Sequence, residues 1–321
     1  MDWDSTLLPP ALARWLGYSA AFLIIGAAAF RGIVLPRAAR QGGDPTPAAR
    51  RAVTIARLAS VLLAVALLGR LYFQARSLID PEEPVTRDIL QAILQGQWGK
   101  GWLAQAGAAL AALIGWRLAG RNPASPAGTV VSSIAAVLLV LTMPLTGHAV
   151  GLPAAGQLGY PMTTLHVGAA AVWLGTLAVM VLAALGRRSD PAPIATGALI
   201  SAFSPLALAT GLAAIVAGII VTWRYVGALD PFLTTDYGRV LLLKIGLLAI
   251  VALLGAYNWR VVLPRLRRDD NTPIRRSASI EVGIGVLLLA VTALLVSFGA
   301  PAGLSDDEGS SEEYQETAVL P

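Results

Sequence analysis

Two histidines and two methionines are the side chains whose types and spacing could bind a metal ion. The chain of 321 residues has only two histidines, His148 and His166, and it has no cysteine. Met143 lies five residues before the first histidine, and Met162 lies four residues before the second. Imidazole with a thioether and no carboxylate nearby in sequence suits a soft cation such as Cu(I), and imidazole alone also accepts Cu(II). Zinc and calcium sites more often include Asp, Glu or Cys.

The histidine pair has two other interpretations. Two histidines on different helices can hold a haem iron from both sides, as in membrane b-type cytochromes. Alternatively, they can form hydrogen bonds between helices at a wet interface and bind nothing. A bis-histidine haem needs both imidazoles to project into one roomy slot, which a sequence does not reveal. The thioethers favour copper over haem, and the residues alone leave all three interpretations open.

A longer set of side chains follows the second histidine along one helical face. Met162, His166, Trp173 and Met180 share nearly the same azimuth, over about 27 Å at 1.5 Å per residue. Such a face could be a relay of soft ligands through a membrane. Core packing is the more common reason for it, because methionine fills gaps and tryptophan packs well.

The composition indicates a membrane protein with several spans. Hydrophobic residues make up 56% of the chain, charged residues make up 13%, and the mean hydropathy is +0.67. A soluble domain carries roughly a quarter charged residues. The net charge of +5 comes from short arginine clusters between apolar runs, a pattern of membrane topology that argues against nucleic acid as a partner. The lack of cysteine excludes disulfides, thiolate zinc sites and cysteine nucleophiles.

Eight apolar segments are long enough to cross a bilayer, which needs roughly 20 residues per helix. Runs of this length do not fit the alternating strands of a β-barrel. The fold class predicted is an all-α polytopic membrane protein with eight transmembrane helices. The segments lie at about 10–35, 52–77, 101–119, 128–148, 162–186, 196–224, 238–261 and 279–300.

The loop charges predict the orientation of these helices. The first, third, fifth and seventh loops hold 14 of the 24 lysines and arginines. Basic loops face the cytoplasm, so both termini are expected outside. The N-terminus is acidic and lacks the basic region of a secretory signal, so the first helix is expected to be retained. The polar, acidic tail, residues 303–321, is expected to be disordered.

A short internal repeat favours two halves with the same orientation. The sequence WGKGWLAQ (Trp98–Gln105) resembles YGRVLLLK (Tyr237–Lys244), and each opens a helix on the outer side. The two halves would be residues 1–148 and 149–302, related by an axis along the membrane normal. Convergent helix starts are the alternative explanation.

Two cations fall inside the predicted helices. Lys244 and Arg70 are too deep to reach water easily, and no acid is evident within the membrane. Their expected partners are backbone carbonyls, Tyr237 or the loop acids Asp230 and Asp236, and a structural role is favoured. The chain contains no Walker-type phosphate loop, HExxH, GxSxG or paired intramembrane carboxylate, so it is predicted not to be an enzyme.

The second half resembles the core of the copper resistance D (CopD) family. The resemblance covers Phe203–Leu266, and its strongest parts are the YGRVLLLK start and the YNWRVVLPRL finish of one helix. Upstream, GHAV and LHVGAAAVWLG are similar to the pattern that precedes this core. Together the match runs over about residues 140–300, whereas the first four helices fit by topology.

The resemblance implies an eight-helix protein of the bacterial cytoplasmic membrane that handles copper. Its family imports copper from the outer face, often beside a periplasmic CopC-type copper-binding partner. Because the chain shows no extra soluble copper domain, a separate donor is expected. The matching positions imply His148 and His166 as copper ligands, helped by Met143 or Met162. The alternatives are a haem b electron-transfer protein and an accessory protein that handles copper without transporting it.

Overall fold

The computed structural model describes residues 5–122, 126–147, 156–185, 194–226, 230–262 and 274–298. Within them the protein is all-α, as predicted, and eight helices are long and apolar enough to cross a membrane. The helices are named α1 to α8 in chain order. Their bounds are Leu8–Ala39, Thr46–Arg76, Gln97–Arg121, Pro126–Thr146, Gly156–Ala183, Thr196–Arg224, Asp236–Val262 and Arg276–Leu295.

Two of these helices contain a wider turn. Helix α1 includes the π-helical stretch Phe30–Val34, and α7 ends in the π-helical stretch Asn258–Val262. The second loop contains a short helix, Arg87–Gln95, whose N-terminus is capped by Thr86. The arrangement in two halves and the inside–outside orientation stay predictions.

Helix α5 begins earlier than the sequence predicted. It is helical from Gly156, six residues before the predicted start, and it includes Pro161. Transmembrane helices tolerate proline because neighbouring groups satisfy the freed backbone carbonyl. The predicted start at residue 162 would place His166 about one turn inside the helix, whereas it lies ten positions after Gly156, nearly three turns inside.

Helix α1 is the centre of the bundle and packs on α2, α4, α5 and α8. Its closest crossing is with α5, where Gly26 faces Gly175. A β-carbon on Gly26 would overlap the carbonyl group of Gly175, and one on Gly175 would overlap the carbonyl oxygen of Phe22. Membrane helices approach this closely where small residues meet. The two glycines therefore bring α1 into backbone contact with α5.

A buried arginine joins three helices of the first half. Arg70 of α2 donates to Gln105 Oε1 of α3 at 2.8 Å and to Thr146 Oγ1, at the end of α4, at 2.6 Å. All three residues are buried. The expectation that Arg70 pairs with backbone carbonyls or loop acids is wrong. Its partners are uncharged side chains that only helix packing brings together.

Candidate metal site

The imidazole of His166 is held by the backbone of the neighbouring helix. Its Nδ1 lies 2.7 Å from the carbonyl oxygen of Ala214 in α6. A carbonyl oxygen can only accept a hydrogen bond, so Nδ1 carries the proton and donates it. The neutral ring then has its lone pair on Nε2, the arrangement found in histidines that bind metals. His166 is thus oriented as a ligand that would coordinate through Nε2.

A glycine makes this hydrogen bond possible. Gly218 lies one turn after Ala214, and a β-carbon built on it would be 2.8 Å from Cε1 and Nδ1 of His166. The imidazole therefore occupies the space that any other side chain at this position would fill. Gly218 was not predicted as a site residue from the sequence. It could have been found as a glycine in the middle of an apolar helix, because such a glycine often marks a close approach between helices.

Lys244 of α7 is the charged neighbour of His166. The side chain is half-buried. Among the residues that the structure describes, its ammonium group has no hydrogen bond or ion pair. The expected partner Asp236 instead pairs with Arg239, at 3.3 Å between Oδ1 and Nη1. The site thus has the imidazole of His166 from α5 and the cation of Lys244 from α7. Helix α6 orients the imidazole.

The two methionines differ in their relation to His166. Met162 is half-buried one turn before it on the same face of α5. Met143 is buried in the main hydrophobic core, in the turn Met143–Thr146 that ends α4. His148 lies outside the described residues, so its pairing with His166 stays a prediction.

The packing of α5 shows which way the imidazole faces. A β-carbon on Gly168 would lie 2.6 Å from Cγ1 of Val140, so residue 168 faces α4. Residue 166 is about 200° away around the helix, and its ring faces α6. Met143 follows Val140 by about one turn on the α4 side. The geometry therefore groups Met162 with His166 and separates Met143 from it.

Comparison with known proteins assigns both halves of the chain to one family. Residues 5–160 match the family described as copper resistance protein D-like, N-terminal domain, and residues 197–295 match copper resistance protein D. The chain belongs to the CopD family. The first match covers α1 to α4, which in the sequence analysis fitted by topology alone. His166 lies between the two matched ranges, so its role rests on its geometry.

A curated relative of this CopD protein is the "Copper transport protein CutJ" of Bacillus subtilis (strain 168). The two are 27% identical over 182 residues, which make up 57% of this chain and 32% of the relative. The aligned part is thus about a third of the length of CutJ. No solved structure matches this CopD protein.

The longer face on α5 of this CopD protein is packed against other helices. The indole ring of Trp173 packs on Gly211 of α6, where an added β-carbon would lie 3.5 Å from Cδ2 of the ring. Met180 is 2% exposed and belongs to the main core. Packing therefore accounts for Trp173 and Met180, and a relay of ligands through them stays a prediction.

A buried acid lies in α8 of this CopD protein, where the sequence analysis found none. Glu281 is 6% exposed, and Asn258 of α7 donates to its Oε1 from Nδ2. Ser277 donates to Oδ1 of Asn258 at 2.8 Å. The expectation of no acid within the membrane is wrong, although Glu281 stood inside the predicted segment 279–300. Asn258 lies 14 residues after Lys244, so this cluster is about 21 Å along α7 from Lys244.

Proposed function

We propose that this protein imports copper across the bacterial cytoplasmic membrane. Copper would bind in the outer half of the membrane to His148 and His166, with a thioether from Met162. The observation that carries the proposal is the orientation of His166, whose Nδ1 bonds to Ala214 and whose Nε2 is left to coordinate. Membership of the CopD family and the printed name of CutJ agree with copper as the cargo.

The ion that this site fits best is Cu(I). A thioether beside an imidazole is a soft ligand set, and no group of three or more His, Cys, Asp or Glu that could hold a metal occurs in the described residues. The Lys244 ammonium adds a second argument, because it repels a divalent ion twice as strongly as a monovalent one. A cation next to the site therefore discriminates between oxidation states.

The orientation and the donor complete the proposal. With both termini outside, His166 lies in the outer half of α5, about 15 Å along the helix from Gly156, and a CopC-type protein could deliver copper from the outer side. The alternative functions are haem-based electron transfer and copper handling without transport. No contact in the structure favours either of them over transport.

Loading and transport by the unaltered protein test this function. Purified protein in detergent is loaded with Cu(I), washed with a chelator, and examined by absorption spectroscopy and elemental analysis. We expect stoichiometric copper, no Soret band, and Cu(I) uptake into liposomes that contain the protein. A Soret band with stoichiometric iron would assign the histidines to haem. Tight copper binding without uptake would indicate an accessory protein that handles copper without transporting it.

Replacing Gly218 with alanine is expected to weaken Cu(I) binding by about tenfold or more. The added methyl group would overlap Cε1 and Nδ1 of His166, so the ring must leave the Ala214 carbonyl. Losing the partner that orients a ligand typically costs 10–100-fold in affinity. Competition with a coloured Cu(I) chelator measures the change. Gly197→Ala is the matched control in α6, because nothing lies within 4 Å of its β-carbon. Equal affinities for the two variants would contradict this account of His166.

Replacing Lys244 with leucine is expected to relax the preference for Cu(I) over divalent ions, because leucine removes the charge without adding a ligand. Removing the ammonium group removes a repulsion that a divalent ion feels twice as strongly as a monovalent one. The ratio of Cu(I) to Zn(II) retained should therefore fall about tenfold or more. Metal contents after dialysis against both ions, under reducing conditions, give this ratio. Lys244→Arg keeps the charge and should keep the ratio. If the leucine variant keeps it too, Lys244 has no part in selectivity.

A further inference from the structure

A basic groove lies between α2 and α3, at the end of the bundle opposite His166. Its volume is about 280 Å³, and Arg57 and Arg117 contribute the charge. The residues that line it are Thr54, Arg57, Leu58, Val61, Leu113 and Arg117. No acid is among them. The groove is therefore positively charged and partly apolar.

The two arginines share the groove without any compensating charge. Both side chains are exposed, and neither makes a hydrogen bond or ion pair within the part of the chain that the structure describes. Arg57 reaches across to α3, because a β-carbon on Gly120 would lie 3.1 Å from its Nη1. Gly120 is three residues after Arg117 and lies on the same face of α3. Two guanidinium groups held this way repel each other unless an anion lies between them.

The order of residues along the two helices separates a polar end from an apolar end. Helix α2 runs away from this end of the bundle, and α3 runs towards it. Leu58 and Val61, which follow Arg57, therefore lie deeper in the membrane than the guanidinium groups. Leu113, which precedes Arg117, does too. Thr54 lies on the water side.

An apolar strip continues from the groove along α2. Leu58, Val61, Val65 and Leu68 are exposed and recur at helical spacing on one face. From Leu58 to Leu68 the strip is about 15 Å long, and it extends about 10 Å beyond the groove into the membrane. A molecule with a charged head and a long apolar chain fits this order, whereas a free inorganic anion would use only the arginines.

We propose that this groove binds one anionic phospholipid. The phosphate lies between Arg57 and Arg117, where guanidinium groups form bidentate bonds to it. One acyl chain lies over Val61 and along the strip on α2. The site is separate from the copper site and does not depend on the proposed function.

Competition between lipids tests the proposal without any variant. Full-length protein is placed in vesicles of phosphatidylethanolamine with a minor fraction of phosphatidylglycerol, extracted in mild detergent, and analysed by native mass spectrometry. We expect one phosphatidylglycerol per chain to be retained, at least tenfold above its share of the vesicle lipid. Retention of the two lipids in proportion to the vesicle would overturn the proposal.

Substitution of the two arginines locates the site. Arg57→Gln with Arg117→Gln should lower phosphatidylglycerol retention at least tenfold, and the Lys/Lys pair should keep most of it. Arg40→Gln is the control, because it removes an exposed arginine from the same end of the bundle but outside the groove. Unchanged retention in the Gln/Gln variant would overturn the proposal. So would displacement of the lipid by inorganic phosphate at low millimolar concentration, since that result would mean a site for free anions.

Discussion

Replacing His166 with alanine is expected to remove tight Cu(I) binding while the helices stay folded. The substitution takes away the Nε2 that the bond to Ala214 leaves free for a metal. His148→Ala is expected to have the same effect, because a single imidazole with one thioether holds Cu(I) only weakly. Copper per chain, measured by elemental analysis after loading and a chelator wash, should fall from stoichiometric to near zero. Circular dichroism should show unchanged helix content.

A control on the same helix separates the loss of a ligand from a loss of packing. Met180→Leu removes a buried thioether from α5 at nearly constant volume, and such exchanges usually cost less than about 1.5 kcal/mol. This variant should retain full copper. If the double variant His148→Ala with His166→Ala retains full copper, the site assignment is wrong. If Met180→Leu loses copper, the longer face on α5 takes part in binding.

Replacing Gly175 with alanine is expected to have the largest effect on stability of any single methyl addition considered. The new methyl group would overlap the carbonyl oxygen of Phe22, which is backbone and cannot change rotamer. Helices α1 and α5 must therefore separate, and overpacking of this kind costs about 3 kcal/mol or more. Gly26→Ala should behave alike, since its β-carbon would overlap the backbone of Gly175. The yield of monodisperse protein and the melting temperature in detergent measure the loss.

Two other glycines of α1 provide the comparison. A β-carbon on Gly32 meets nothing within 4 Å, and one on Gly17 makes an ordinary contact of 3.6 Å with Ala66. Alanine at either position should leave the melting temperature nearly unchanged. A similar melting temperature for Gly175→Ala and Gly32→Ala would mean that α1 and α5 do not pack through their backbones.

The helices could be predicted from the sequence because hydropathy depends on each segment alone. All eight were found, and the largest differences in bounds are the starts of α2 and α5, which each begin six residues before the predicted start. Glu281 was equally visible, yet it was not recognised among the apolar residues around it. Composition and segment length are thus sufficient for the architecture.

The contacts of the candidate site could not be predicted, for a physical reason. The partner of His166 is the backbone carbonyl of Ala214, and every residue has such a group, so no residue type marks it. The partners of Arg70 are an amide and a hydroxyl from two other helices, which become neighbours only through packing. Gly218 is one of many glycines, and only the structure shows that the imidazole of His166 packs against it. Pairings between helices depend on rotation and register, and hydropathy contains neither.

The uneven burial of the helices has a consequence for how a transported ion could leave the site. In the most apolar 18-residue stretch of α1, 56% of the residues are buried inside the protein. The corresponding share is 17% in α6 and 17% in α7. Helix α6 packs mainly on α5, and α7 packs mainly on α8, so a small rigid-body tilt of α6 and α7 disrupts fewer interfaces than a tilt of α1, which packs on four helices and would lose the Gly26–Gly175 crossing. These two loosely packed helices supply the Ala214 carbonyl, Gly218 and Lys244. The moving elements of an alternating-access cycle would then be the elements that orient the ligand, so one motion would open the path and release the imidazole from its acceptor.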